Sequence, residues 1–235
     1  YEPRYYFTQI PQNFDPAKPY PVLFYGQGCG QTNPENGPFT AFASEYFIVQ
    51  LIPAAVTAET VEPEGGSPGC FQAGRRGLAD SPDLAYFDQV LAEISAKYCI
   101  DMGQLYVAGW SSGAWLSNYL ACARGNVLRG TSSGSGGIQF EHGACTGGAI
   151  SMIFPGDAGD ETELDQAIGA AVARDLLVQT NGCSTTPVDM PYGDVTCQVY
   201  GDCAAPIAYC PDPGGHGGPL GPLAASSRAF WNSIP

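Results

Sequence analysis

The sequence predicts an α/β fold in which a mostly parallel sheet is covered by helices on both faces. Three observations predict it. Strand-like and helix-like segments alternate along the chain. The strand candidates are short continuous apolar runs rather than alternating patterns, which marks strands buried on both faces. No repeat, low-complexity tract or long linker interrupts the 235 residues, so a single domain spanning 1–235 is expected.

The elements follow in chain order. YYFTQIP reads as an edge strand, and YPVLFYGQ and YFIVQLIPAA as buried strands bounded by turn residues. A helix is expected next. Ser81 caps it, Pro82 suits the first helical position, and Asp83 complements the helix dipole. Leu84, Phe87, Val90, Leu91, Ile94 and Tyr98 then mark one apolar face. QLYVAGW is a further strand, SGAWLSNYLACA a helix and AISMIFPG a strand. ETELDQAIGAAVARDLL is a helix, with Leu164, Ile168, Val172 and Leu176 four apart on its expected core face. VTCQVYG and APIAYC are late strands, and LAASSRAFWNSI is a closing helix.

Composition narrows the function. A chain of this length buries about 70% of its unfolded surface and folds without staples. It nevertheless has nine cysteines, at 29, 70, 99, 122, 145, 183, 197, 203 and 210. None forms a C-x-x-C pair and the late spacing lacks zinc-ribbon pairs, so disulfides in an oxidising compartment are expected, with an odd thiol left over. Net charge is −14 with nine Lys plus Arg, which argues against nucleic acid or an anionic membrane surface as partner. No run of 18 apolar residues occurs. The opening YEPRYYFTQIP is already strand-like, so a mature secreted form without a leader is expected.

The chemistry centres on Gly109-Trp110-Ser111-Ser112-Gly113, a G-x-S-x-G match in a chain with 31 glycines. A Gly-Ser turn is the competing reading of five such letters. A buried strand runs into Ser111 and a helix runs out of it, which is the context a nucleophile elbow requires. Glycines at 109 and 113 permit the sharp turn. The Ser112 N–H, at the helix start, is aimed at a developing oxyanion.

A serine hydroxyl needs a base, and the chain has only two histidines, His142 and His216. His216 lies in a Gly/Pro loop between the last strand and last helix, the expected position by chain order. The acid must fall between nucleophile and base, and the loop after AISMIFPG offers Asp157 and Asp160. This acidic cluster does not fit the calcium-loop spacing.

Four blocks carry a family resemblance: YYFTQIPQNFDPAKPYPVLFYGQGCGQT, CIDMGQLYVAGWSSGAWLSNYLAC, FPGDAGDETEL and YCPDPGGHGGP. Together they resemble carbohydrate esterase family 1 and the poly(3-hydroxybutyrate) depolymerase-like branch of the α/β-hydrolases. The resemblance implies a disulfide-stabilised α/β-hydrolase fold and a catalytic triad of Ser111, Asp160 and His216, with Asp157 in reserve. It implies an oxyanion hole from the backbone N–H groups of Cys29 and Ser112, and substrate contacts from Trp110 and Gln27. A Cys29–Cys70 bridge is implied too, locking the oxyanion loop. Among the late cysteines, 183 with 197 and 203 with 210 are the favoured local pairings, while Cys99, Cys122 and Cys145 cannot all pair.

Three positions depart from the family pattern. Gln27 stands in place of a histidine, Phe154-Pro155 precedes Gly156, and Gly217-Gly218 replaces Thr-Trp after the histidine. The last removes an aromatic near the site and widens the expected cleft.

A secreted serine esterase is therefore expected, without metal or organic cofactor and acting as a monomer on an ester substrate. Its substrate would be a feruloyl or related hydroxycinnamoyl ester of plant cell wall. Alternatives are a poly(3-hydroxybutyrate) or other polyester depolymerase and, from another class, a non-catalytic hydrolase-like binding module.

Overall fold

The computed structural model of the protein describes residues 4–31, 37–53, 69–71, 81–138, 144–155, 166–210 and 220–235. The described strands are β1 (Tyr6–Gln9), β2 (Tyr20–Gly26), β3 (Phe47–Leu51), β4 (Ile100–Trp110), β5 (Gly130–Gly134), β6 (Ser151–Pro155), β7 (Val188–Tyr192), β8 (Val195–Tyr200) and β9 (Ile207–Cys210). The helices are α1 (Pro82–Lys97), α2 (Ser112–Arg124), α3 (Gln166–Asn181) and α4 (Leu220–Ser233). One nine-stranded sheet runs in the order β1-β3-β2-β4-β5-β6-β9-β8-β7. Its six central strands, from β3 to β9, are parallel. The outer strands β1, β8 and β7 pair antiparallel.

Both faces of the sheet are packed, and alternate residues of each strand serve opposite cores. Val22 and Phe24 of β2 join one cluster with Phe87 of α1, Leu116 and Tyr119 of α2, and Leu177 of α3. Leu23 and Tyr25 join the other, with Phe39 and with Leu223, Phe230 and Trp231 of α4. Apolar runs rather than alternation were thus required of the central strands.

Ser81 caps α1, its side chain accepting from the Leu84 N–H. Asp83 does more than complement a dipole. It is fully buried and paired with Arg4, whose guanidinium also lies 5.2 Å from the Tyr86 ring centre. Tyr86 Oη donates to the Tyr5 carbonyl at 2.6 Å, so α1 holds the edge strand β1 in place.

Two expectations are corrected, and two strands were not anticipated. Strands β5 and β7 carry no apolar run. The former is GTSSG and buried throughout, and the latter contains Pro191, tolerated because β7 is an edge. Helix α3 turns its small residues inward: Ala170, Ala173 and Leu177 are buried, whereas Val172 is 46% exposed. Close approach through small residues pushes the larger Val172 to the outside.

The late cysteines pair as Cys183–Cys203 and Cys197–Cys210, not as 183–197 and 203–210. Strand register decides it. Gln198 faces Tyr209 across the antiparallel β8–β9 pair, which sets Cys197 opposite Cys210 with Cα atoms 4.0 Å apart. Cys29–Cys70 and Cys122–Cys145 complete four bridges, and Cys99 is the free thiol. Among the described residues no helix is long and apolar enough to cross a membrane.

Candidate active site

The elbow forms where the central strand β4 hands over to α2. Ser111 sits between them at φ 56° and ψ −118°, a conformation L-residues rarely adopt. Holding it there costs about 1–3 kcal/mol, which persists only where surrounding structure enforces it. Ser111 is partly exposed, whereas every residue of α2 from Ser112 to Ala123 is buried. One hydroxyl is thereby presented at the mouth of a buried helix.

The glycines of the motif are steric necessities. A Cβ on Gly109 would lie 1.9 Å from the Gly113 carbonyl oxygen. A Cβ on Gly113 would lie 1.9 Å from the carbonyl oxygen of Gly26, the last residue of β2. Gly26 and Gly109 are register partners across β2 and β4. Backbone therefore meets backbone directly under the serine.

The loop that leaves β2 passes beside the nucleophile. A Cβ on Gly28 would be 3.5 Å from Ser111 Cβ and 3.5 Å from Trp110 Cδ1. Ser112 Oγ donates to the Gln27 carbonyl at 3.2 Å, so its side chain as well as its backbone is used. Gln27 itself is 2% exposed. Cys29, exposed at the turn, is bridged to Cys70, and the Gly30 N–H donates to the Gly69 carbonyl at 2.9 Å. Two ties, one covalent, anchor this loop.

Trp110 is half-buried between two backbones. Its ring approaches Gly28 on one side, and a Cβ on Gly134 would lie 3.2 Å from its Cε3 on the other. A second loop, 134–138, was not anticipated from sequence. The Ser111 N–H donates to the Gly134 carbonyl at 3.0 Å, and Gly136 packs against the Ser111 carbonyl. The cluster Gly134-Ser135-Gly136-Gly137 following a strand was the signal available for it.

The structure thus brings together Ser111, Ser112, Gln27, Cys29 and Trp110. Asp160, Asp157, His216 and His142 lie outside the described residues. What is described is where their segments begin. Asp160 follows β6 in sequence and His216 follows β9. These two strands are parallel neighbours whose last residues, Pro155 and Cys210, are register partners. Their carboxyl ends lie at the same end of the sheet as that of β4, the end where open α/β sheets place their sites.

No family model matches the chain. Curated relatives do. The chain is 28% identical over 225 residues to feruloyl esterase C of Emericella nidulans, a match covering 93% of this chain and 78% of the relative. It is 29% identical over 235 residues to probable feruloyl esterase C of Aspergillus terreus, covering 97% and 82%. Among solved structures it resembles an acetyl xylan esterase from Aspergillus awamori, with TM-score 0.61 and 14% identity over 90% of this chain and 88% of that one. A Bacillus cereus carboxylesterase superposes with TM-score 0.62 at 14% identity, over 97% and 93%.

The chain is similar over most of its length to curated feruloyl esterases C and D. The structural neighbours supply the fold, and the curated relatives, at nearly full length, supply the enzyme class: a carboxylic ester hydrolase. For this esterase, four disulfides agree with maturation in an oxidising secretory compartment.

Proposed function

We propose that this esterase is secreted, acts as a monomer, and hydrolyses feruloyl and related hydroxycinnamoyl esters of plant cell wall by a Ser111–His216–Asp160 acyl-enzyme mechanism. The observation that carries the reading is Ser111 itself. It is a non-glycine residue at φ 56° between a buried strand and a buried helix, with the 27–31 loop running past it. The relatives named feruloyl esterase carry the choice of ester.

In this mechanism His216, oriented by Asp160, takes the Ser111 proton as Oγ attacks the ester carbonyl. A bond forms between Oγ and the carbonyl carbon, and the carbonyl oxygen becomes an oxyanion. The backbone N–H groups of Cys29 and Ser112 receive that charge. His216 returns the proton to the departing alcohol, and water then cleaves the acyl-enzyme by the same route reversed. Preorganisation is what the anchored loop contributes. Its bridge to Cys70 and its bonds to Ser112 and Gly69 limit the reorganisation needed as charge develops. Half-exposed Trp110 forms a wall of the acyl site, and Gln27 is a second substrate contact.

The test is direct. Methyl ferulate, acetylated xylan and a poly(3-hydroxybutyrate) film are offered to the wild type and to Ser111→Ala. The wild type is expected to show its highest kcat/KM on methyl ferulate, and Ser111→Ala to lose about 10⁴-fold or more in kcat. Wild-type rates in Ser111→Ala would end the mechanism. Preference for the polyester film would redirect the substrate assignment. Absence of both turnover and a fluorophosphonate adduct on Ser111 would favour a binding module.

A further inference from the structure

A backbone held in a sparsely populated conformation must be over-determined by its neighbours. At Ser111 the constraint comes from both flanking peptides. Its N–H is held by the Gly134 carbonyl at 3.0 Å. Its carbonyl, which accepts from Ala114 N–H at 2.9 Å and Trp115 N–H at 3.2 Å, is walled in by Gly136. A Cβ at Gly136 would lie 2.5 Å from the Ser111 oxygen and 2.7 Å from Ala114 Cβ. Since φ and ψ of Ser111 are the orientations of those two peptides, the 134–138 loop sets both.

What sets the loop is a pair of buried side chains converging on one carbonyl. Asn118 Nδ2 donates to the Gly136 carbonyl at 3.2 Å, and Ser133 Oγ donates to the same oxygen at 2.9 Å. Both residues are fully buried. Asn118 lies two turns along α2 from the nucleophile, and its Oδ1 finds no hydrogen-bond partner among the described residues. An amide with one half unsatisfied is an expensive choice for the interior of a helix. The far end of the loop is pinned separately, by the Ile138 N–H to the Gly169 carbonyl of α3 at 3.1 Å.

We propose that Asn118 and Ser133 are positioning residues for the reaction: by gripping the Gly136 carbonyl they hold the loop against Ser111 and keep its hydroxyl aimed at the ester. They touch no substrate atom. The proposal rests on reading Ser111 as the nucleophile.

The experiment measures kcat and KM on methyl ferulate for Asn118→Leu and Ser133→Ala, per active site titrated with a fluorophosphonate, and for Ser111→Ala per mole of folded protein. Asn118→Leu keeps the branching at Cγ and removes the donor. It is expected to lower kcat about 10- to 100-fold with KM within about twofold, the size of loss that misplacing a nucleophile by an ångström produces. Ser133→Ala, the smaller change, is expected to lower kcat about 3- to 10-fold. If Asn118→Leu yields no folded protein, Ser133→Ala decides. Wild-type kcat in the folded variants beside an inactive Ser111→Ala overturns the positioning role and leaves the nucleophile standing. An active Ser111→Ala overturns the reading beneath it and the proposal with it.

Discussion

Ser112 Oγ reaches back to the carbonyl oxygen of Gln27 at 3.2 Å, joining the first residue of α2 to the loop that leaves β2. The bond couples the residue after the nucleophile to the loop that passes over it. Ser112→Ala removes one neutral hydrogen bond, worth about 1 kcal/mol net. Spent on the transition state, that is about a fivefold fall in kcat. Steady-state kinetics on methyl ferulate is expected to show that fall with KM little changed.

Gly113 and Gly30 separate crowding from conformation. A Cβ on Gly113 meets the Gly26 carbonyl oxygen at 1.9 Å, whereas one on Gly30, at φ 70°, meets nothing within 4 Å. Each of the nearest atoms that the Cβ of Gly113→Ala would meet is backbone of Gly26 or Gln27, with no flexible side chain to yield. It is expected to destabilise by more than about 4 kcal/mol. Gly30→Ala bears only the left-handed backbone cost of about 1–2 kcal/mol. Thermal denaturation of the two variants side by side checks the difference.

The Arg4–Asp83 pair anchors β1 to α1 with Asp83 fully buried and Arg4 nearly so. Removing either partner takes a charge-paired contact out of a buried site. Arg4→Ala and Asp83→Ala are each expected to cost about 3–5 kcal/mol. Because both break one interaction, the double variant should lose less than the sum of the two. Denaturant unfolding of the four proteins measures this cycle.

Alkaline pH should unfold the protein through its buried phenols. Burial pushes Tyr46 up to about 12, with smaller contributions from neighbouring Tyr106 and Glu45, and burial raises Tyr25 further. Unfolded tyrosine ionises near about 10. The folded state holds these groups neutral, so their stabilisation is complete below that value. It is lost as pH rises toward the folded values. The tyrosinate absorbance of the buried phenols is expected to appear together with loss of helical circular dichroism. Complete ionisation of all the phenols with circular dichroism intact would contradict it.

Much of the architecture was legible because burial on both faces leaves apolar runs. β2, β3, β4 and β6, the cap at Ser81 and the strand–serine–helix junction all follow from such runs and from Gly and Pro punctuation. Strand β5 was not legible, for a packing reason. A Cβ on Gly130 would meet Trp231 Cδ1 at 2.9 Å, and one on Gly134 would meet Leu223 Cδ1 at 2.9 Å. The strand must be small where α4 presses on it. Its serine hydroxyls are satisfied internally, as in the 2.7 Å Ser132–Ser227 bond. Cysteine pairing depends on strand register, which letters do not carry. Within the site, the elbow and the glycine loop after β2 were readable. The grip of Asn118 and Ser133 on Gly136 was not, because it exists only once helix, strand and loop have met.

The backbone contact under the nucleophile also bears on how the sheet is assembled. Strands β2 and β4 come from distant parts of the chain, and Gly26 must find Gly109 rather than a neighbour. A slip of one residue would turn every side chain of β2 to the opposite face. It would also set Tyr25 or Gln27, each with a Cβ, over the spot where Gly113 admits none. The glycines that make room for chemistry therefore act as the key that accepts only one alignment of the two central strands. A chain that has mispaired there cannot close its elbow, so an assembled active site is itself a certificate of a correctly aligned sheet.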